Sequence, residues 1–377
     1  MTAVLPLRAE FRLDTPTTLI VFKQDRNVLL QLQQISRKQL SPTHQFREFT
    51  KNVLENNPPL KIGNLSLDPP LVMAPMAGVS HSPLRQLVAS FGRPGLFFSE
   101  MLSARRLPHE NLTESLSLKR TEVEHPMAYQ FFAPDTDLAA KGCKKLLEGD
   151  AEIIDFNLAC PAPSIAGKAK SGAHLLSDLH TTEKILATMR SLILDRPFTV
   201  KIRLGKKPDL VFLSELTAMI EGCRVDGITL HPRLIDEKLK RRARWDFIGH
   251  IKTMTKLPVI GNGDVANCDD CRQMFQQTGC DAVMIGRAIA QKPWLFAEIC
   301  GKPISISPEF LLETYCRAYD LITEFFPEEK ALGRIKEFTW YYCKNLRFGH
   351  RFAARMQSLN SVMECRQMTK DNFKQAV

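Results

Sequence analysis

Residues Glu152 to Leu176 read EIIDFNLACPAPSIAGKAKSGAHLL, and the reading of the fold starts from them. Glu152 to Leu158 is a short apolar run with polar Asn157 near its end. That is the pattern of a buried parallel strand reaching the top of a sheet. Cys160-Pro161 and Pro163 follow at once, so no helix is expected to start there. Gly167, Lys168, Lys170 and Gly172 then make a glycine-containing basic loop. A strand that delivers a cysteine into such a loop suits chemistry on an anionic substrate. It equally suits an ordinary strand and loop with a buried thiol.

The same unit recurs on both sides. Apolar runs at Leu71–Pro75, Gly95–Ser99, Met127–Phe132, Glu152–Leu158, Phe198–Leu204, Gly227–His231, Pro258–Asn262 and Asp281–Gly286 read as strands. Helical periodicity fills Ser82–Phe91, Asp135–Leu147, Thr181–Leu194, Asp209–Gly222, Trp245–Thr255 and Ala266–Thr278. Eight strands alternating with helices predict an α/β fold, a (β/α)8 TIM barrel. A doubly wound open sheet is the alternative, but no GxGxxG follows the first strand.

Length and composition are compatible with this. The chain has 377 residues, 44% of them apolar, with a net charge of +10. No run approaches the ~18 apolar residues of a membrane span, and the first residues lack the pattern of a signal peptide. A cytoplasmic protein with reduced thiols is expected from the irregular spacing of the ten cysteines. Cys268, Cys271 and Cys280 come nearest to a metal pattern, but without a fourth ligand or a nearby histidine no metal is expected. Positive charge favours an acidic partner such as nucleic acid, and fits a generic basic enzyme as well.

The flanks differ from the barrel. Residues 1–60 form an extension of unassigned role, with a hairpin expected within Thr18–Leu32 and a polar helix over Ser41–Asn57. The barrel is expected over 61–304. From 305 to 377 the pattern is helical, over Pro308–Phe326, Glu329–Arg347 and Phe352–Phe373. Lys330–Val377 carries ten Lys/Arg against three Asp/Glu, with Phe338, Trp340, Tyr341, Tyr342, Phe348 and Phe352 interleaved. Basic and aromatic residues together suit RNA. A small bundle with a solvated basic face and aromatics in its core has the same composition.

Barrels of this kind work at the C-terminal ends of their strands. Those ends carry Pro75, Met76 and Ala77, then Gln130, Asn157 and Cys160, Lys201 and Arg203, His231, Asn262-Gly263-Asp264, and Gly286-Arg287. Glycine turns after the last two strands suit phosphate. A phosphorylated cofactor such as flavin mononucleotide (FMN) or a phosphosugar would fit. Each residue also has a plain explanation: Lys201 could pair with an acid, His231 could be structural, and Asn262 or Asp264 could cap a helix starting near Val265.

The motifs MAPMAGVSHSPLR (Met73–Arg85), DFNLACPAPSIAGKAKSGAHLL, VKIRLG, GNGD and DAVMIGRA closely resemble the tRNA-dihydrouridine synthases, in order and in spacing, over roughly Gly63 to Phe296. The resemblance implies an FMN barrel with a helical domain that grips tRNA. NADPH would reduce the flavin, which would pass hydride to C6 of a uracil while a cysteine protonates C5. It assigns Cys160 as the acid, and Pro75, Met76 and Ala77 to the flavin ring. Gln130, Lys201 and His231 would meet the polar edge of that ring, and Asn262, Gly263, Asp264, Gly286 and Arg287 would hold the ribityl phosphate. Lys168, Lys170, Arg203 and the loop residues Lys238, Lys240, Arg241 and Arg242 are expected to contact RNA. Ala159 stands where the family usually has Gly, and His231-Pro232-Arg233 where His-Gly-Arg is commoner. A monomer is expected. Competing expectations are a flavin barrel acting on a small pyrimidine or enone, the same reaction on ribosomal RNA, and an RNA-binding protein without catalysis.

Overall fold

The computed structural model describes residues 57–237 and 240–374, which belong to one compact unit. The hairpin and helix expected within 1–57 lie outside the described residues but for Asn57, and so does Lys238.

Eight parallel strands close a barrel. They are β3 (Leu71–Met73), β4 (Phe97–Phe98), β6 (Met127–Phe132), β7 (Ile153–Leu158), β8 (Phe198–Arg203), β9 (Gly227–His231), β10 (Val259–Asn262) and β11 (Ala282–Ile285). The order runs β3-β11-β10-β9-β8-β7-β6-β4, and a parallel bridge between Val72 and Leu96 joins the two ends. All six residues of β7 and of β8 are buried, as expected of strands covered on both faces. Register places Asn157 beside Lys201, and Arg203 beside His231, at one rim.

The helices are stopped and started by local chemistry. The helix α1 (Ser82–Phe91) follows β3, and α2 (Thr136–Leu147) begins where the Asp135 carboxylate accepts the Leu138 N–H at 2.9 Å. Asp178 does the same for α3 (Leu179–Leu192), and Asp209 for α4 (Leu210–Gly222). Next come α5 (Asp246–Met254), α6 (Cys268–Thr278), α7 (Arg287–Gln291) and α8 (Leu295–Ile299). The N-cap of α6 is Asn267, and Gly279 ends it in the left-handed region at φ 62°.

Two pieces depart from the expected pattern. A hairpin of three-residue strands, β1 (Leu60–Ile62) and β2 (Leu65–Leu67), buries Leu60, Ile62 and Leu67. These side chains share a core with Val72, Ala74, Phe98, Ile260 and Met284 from the barrel strands. Between β4 and β6 there is no α-helix; a two-residue strand β5 (Leu102–Ser103) pairs with β6, and two short 3-10 turns follow.

The helical tail is α9 (Pro308–Phe325), α10 (Glu328–Tyr342), α11 (Gly349–Gln357) and α12 (Val362–Lys374). The helix expected over Phe352–Phe373 is broken at 358–361, where Ser361 and Glu364 cap a new start. The tail docks through Phe310, whose ring lies 5.7 Å from Phe91 and 5.0 Å from Trp294. Most of its aromatics make the bundle core. Tyr342 and Phe352 lie 5.7 and 5.6 Å from Tyr315, Phe338 stacks on Tyr342, and all are buried. Of the aromatics expected to meet RNA, Trp340 and Phe348 are exposed.

Candidate active site

The C-terminal rim of the barrel opens into a cavity of about 680 Å³. Pro75, Met76, Gln130, Cys160, Lys201, Arg203, His231, Asn262, Gly263, Asp264, Gly286 and Arg287 all line it. Ala77 is exposed and does not. Lys168 and Lys170 line a separate surface cleft with Arg105 and His174. Lys240, Arg241 and Arg242 are exposed on the loop after β9. Arg203 is not a surface cation: it is 3% exposed, and its guanidinium donates to the Leu234 carbonyl at 2.9 Å. Any contact it makes with a substrate is made inside the cavity.

Cys160 is positioned by a buried chain of hydrogen bonds that begins on the neighbouring strand β8 and passes through β6. Thr199 donates to Asp155 at 2.6 Å, Gln130 donates to Asp155 at 2.7 Å, and Asn157 donates to Gln130 at 2.7 Å. The Asn157 carbonyl oxygen then accepts the backbone N–H groups of Ala159 and Cys160 at 3.0 and 2.9 Å. Beyond the cysteine, and against the expectation that no helix starts there, the backbone makes one wide π-helical turn over Pro163–Lys168, with Pro163 at its first position, where no amide is needed. Gly172 returns against Cys160 at φ 60°, and a Cβ there would meet the Cys160 carbonyl oxygen at 2.8 Å.

Burial pushes the Cys160 thiol above its ordinary value, opposed by the charges of Arg203 and Lys201. It is therefore a protonated thiol at neutral pH. Burial, aided by the Arg203 charge, lowers Lys201 to about 7, and burial raises Asp155 to about 6. Lys201 donates to Asn262 at 3.0 Å, and Asn262 in turn donates to the Met284 carbonyl at 2.9 Å. Among the described residues this is the one hydrogen bond that Lys201 makes, so two of its three N–H groups remain for a ligand. The plain explanations fail for these residues: among the described residues Lys201 has no carboxylate partner in an ion pair, and α6 is capped by Asn267, not by Asn262 or Asp264.

Arg233, named above only as the end of His231-Pro232-Arg233, organises the opposite wall. It is 2% exposed and grips both oxygens of Asp264 at 2.5 and 2.6 Å. It also reaches His231 Nε2 at 2.8 Å. A guanidinium only donates, so Nε2 must accept and the ring proton sits on Nδ1. Burial and then the charges of Lys201, Arg203 and Arg233 hold His231 well below its usual range, which keeps it neutral. Burial opposes ionisation of Asp264, but Arg233 and the Ala243 N–H outweigh it and hold the carboxyl low. Asp264 itself stands in the left-handed region at φ 58°, and Gly263 at φ 121°. A Cβ on Gly263 would lie 2.8 Å from Ala243 Cβ and 3.0 Å from His231 Cδ2, so only glycine fits that turn.

Other unexpected residues come from the tail. Lys344, after α10, lines the cavity, and Asn345 donates to the Gln291 carbonyl at 2.6 Å. Glu100 accepts the Gly78 N–H and pairs with Arg334 of α10 at 3.2 Å, tying the first-strand loop to the tail. These long-range partners leave no local mark in the chain. The cysteines at 268, 271 and 280 belong to the core or its edge. Among the described residues, no His, Cys, Asp and Glu group is arranged to hold a metal.

A closed parallel barrel of eight strands that gathers a cysteine, a buried lysine and two glycine turns at its C-terminal rim has the architecture of a TIM-barrel enzyme. The chain belongs to the dihydrouridine synthase family: the profile described as "Dihydrouridine synthase (Dus)" matches residues 72–377. A probable tRNA-dihydrouridine synthase of Rickettsia conorii is 30% identical over 81% of this chain and 93% of its own. The tRNA-dihydrouridine synthase B of Yersinia pestis is 34% identical over 64% and 74%. Among solved structures, histamine dehydrogenase from Rhizobium sp. 4-9 superposes with a TM-score of 0.52 at 12% identity, covering 72% of this chain and 51% of that one. An amine oxidase acting on 6-hydroxypseudooxynicotine, from Pseudomonas geniculata N1, gives 0.54 at 11%, covering 71% and 53%. These two share the barrel fold.

Proposed function

We propose that this chain reduces uridine in tRNA to 5,6-dihydrouridine, with FMN across the barrel mouth and NADPH as the electron source. The observation that carries the reading is Cys160, a thiol kept protonated by burial on the rim of a cavity lined by Lys201, His231 and two glycine turns. The cavity volume is within the ~300–1,000 Å³ usual for cofactor sites. The tight contacts around Gly263 keep the backbone bare at one glycine turn, and Gly286, with no side chain either, leaves the other open to a phosphate. Arg287 supplies charge there, and the two spare N–H groups of Lys201 suit the carbonyl and ring-nitrogen edge of a flavin.

Reduced FMN, when bound, supplies the hydride that adds to C6 of the uracil. The residues of the chain do the rest. Cys160 gives its proton to C5, completing the addition of two hydrogens across the double bond. The thiolate left behind sits near Lys201 and Arg203, whose charges stabilise it until solvent returns the proton. Asn157 and Gly172 hold the loop so that the acid is aimed at the substrate. The uracil must leave its stack to enter, at a cost of a few kcal/mol, less for a loop base. Lys168, Lys170, Lys240, Arg241 and Arg242 are the exposed cations for the RNA backbone, with the tail as a separate gripping part. We place this activity in a monomer in the cytoplasm; the ten cysteines are all free thiols, as a reducing compartment requires.

The test is incubation of unmodified tRNA with the protein, FMN and NADPH, followed by mass spectrometry of the nucleosides. A gain of two hydrogens on uridine is expected. No gain on tRNA while NADPH is consumed in air would refute the substrate and favour a small pyrimidine or enone. A gain on ribosomal RNA alone would move the substrate there.

A further inference from the structure

Phe348 is a costly residue for its place in the chain. Its ring is 57% exposed, and its backbone is left-handed at φ 57°, ψ 23°. Glycine or asparagine takes that conformation far more easily. It also occupies the N-cap of α11, where a side-chain oxygen would satisfy a free N–H and a phenyl ring cannot. The residue therefore spends stability twice, at a position where exposure gains it nothing in the core. Strain of this kind persists only where the surroundings enforce it.

The surroundings do enforce it. A Cβ on Gly349 would lie 1.8 Å from the Cys343 carbonyl oxygen, so the start of α11 is clamped against the turn at Cys343–Asn345. Leu346 N–H donates to the Cys343 carbonyl at 3.0 Å, and Gly349 N–H to the Leu346 carbonyl at 3.1 Å. Asn345 fastens the same turn to Gln291 at the cavity wall. The segment is thus a rigid arm rooted at the active site.

The arm is cationic and aromatic. The guanidinium carbons of Arg347 and Arg351 lie over the Phe348 ring, 5.2 and 5.5 Å from its centroid. Lys344, Arg347, Arg351 and Arg355 fall within residues 338–363, which hold no Asp or Glu. Lys344 reaches into the cavity. Phe348 lies four positions further along, a span of at most about 14 Å of chain. An exposed aromatic flanked by guanidinium groups is the chemistry that binds an unpaired base: the ring stacks on the base and the cations neutralise its phosphates.

We propose that Phe348, framed by Arg347 and Arg351, is a stacking platform for an unpaired nucleobase within a few nucleotides of the uridine that enters the cavity. This rests on the reading of RNA as substrate. The platform holds the strand in register once the target base has left its stack, and it gives the tail a base contact in addition to phosphate contacts.

The experiment measures tRNA affinity of the FMN-loaded full chain as a function of salt, for the wild type, Phe348→Ala, Phe348→Trp, Phe348→Gly and Arg347→Gln. Phe348→Ala is expected to weaken binding by about tenfold to a hundredfold with the salt slope unchanged, because stacking releases no counterion. Phe348→Trp should keep the affinity. Arg347→Gln should lower the salt slope by about one phosphate contact. Phe348→Gly relieves the strained backbone, so its Tm should equal or exceed that of the wild type while its affinity falls as in the alanine variant. A Tm that falls together with the affinity in both Phe348→Ala and Phe348→Gly would make the ring a structural element and overturn the platform. Wild-type affinity in Phe348→Ala, with tRNA bound tightly by the unaltered protein, would overturn the platform alone. A wild-type protein that binds no tRNA would overturn both the platform and the substrate reading.

Discussion

Asp264→Asn should cost more stability than its half-open position suggests. Arg233 is 2% exposed and has Asp264 as its carboxylate partner, gripped through both oxygens. Removing one member of a buried pair strands the other charge, which costs about 3–5 kcal/mol. Asp264 keeps 28% of its side chain in solvent, and asparagine still offers one acceptor, so a loss of about 2–3 kcal/mol is expected after screening. At roughly 2–4 °C per kcal/mol, Tm should fall by about 4–12 °C. The pH dependence provides a second reading. Asp264 titrates below its unfolded value, so its contribution is fully present above the unfolded carboxyl pKa and is lost as pH falls through the folded one. The variant should therefore lose less stability on acidification than the wild type. Scanning calorimetry from pH 3 to pH 7 measures both. Pairing Arg233→Met with Asp264→Leu should recover much of the loss, since no charge is then stranded. A Tm within about 1 °C of the wild type, or an unchanged acid limb, would refute the assignment of Arg233 as the charge that organises this wall.

Two further outcomes follow from the same geometry. Lys201 titrates near 7, so FMN affinity followed by flavin fluorescence should weaken as pH rises through about 7, and Lys201→Met should abolish that dependence along with most of the affinity. An identical pH profile in the variant would remove Lys201 from the cofactor edge. Ile62→Ala, in the hairpin that shares its core with the barrel strands, should cost about 2–4 kcal/mol in urea unfolding while leaving turnover of the folded enzyme intact. A loss below about 0.5 kcal/mol would mean the hairpin is not part of the barrel core.

The barrel was legible because covered parallel strands are continuous apolar runs, each ending at a polar or glycine residue that marks the rim. Phe198–Arg203 and Ile153–Leu158 show this in pure form, and register then brings Asn157 and Lys201 side by side. The hairpin at 60–67 was missed because three-residue strands carry almost no period. The break at 358–361 did carry a signal: Ser361 and Glu364 have capping-box spacing, which the apolar period on either side masked. Composition left two readings of the tail open, and the aromatics follow the bundle reading. Phe338, Tyr342 and Phe352 are core residues, and which aromatic stays outside depends on the position of each on its helix, not on the count. Arg233 could have been suspected from its place two residues after His231. The Glu100–Arg334 pair could not, because it joins residues far apart in the chain that meet only once the tail has docked.

The central claim is that Cys160 is the acid for the uracil, and a single-turnover experiment tests it most directly. Wild-type protein and Cys160→Ala, each loaded with FMN and reduced with NADPH without oxygen, are mixed with unmodified tRNA, and dihydrouridine is quantified by mass spectrometry. The account predicts that both proteins are equally yellow before reduction and that product forms in the wild type alone, at least a hundredfold faster than in the variant. Product at the wild-type rate in Cys160→Ala would contradict the assignment of the acid. A variant that has lost its flavin would contradict the placement of Cys160 on the substrate side of the cavity.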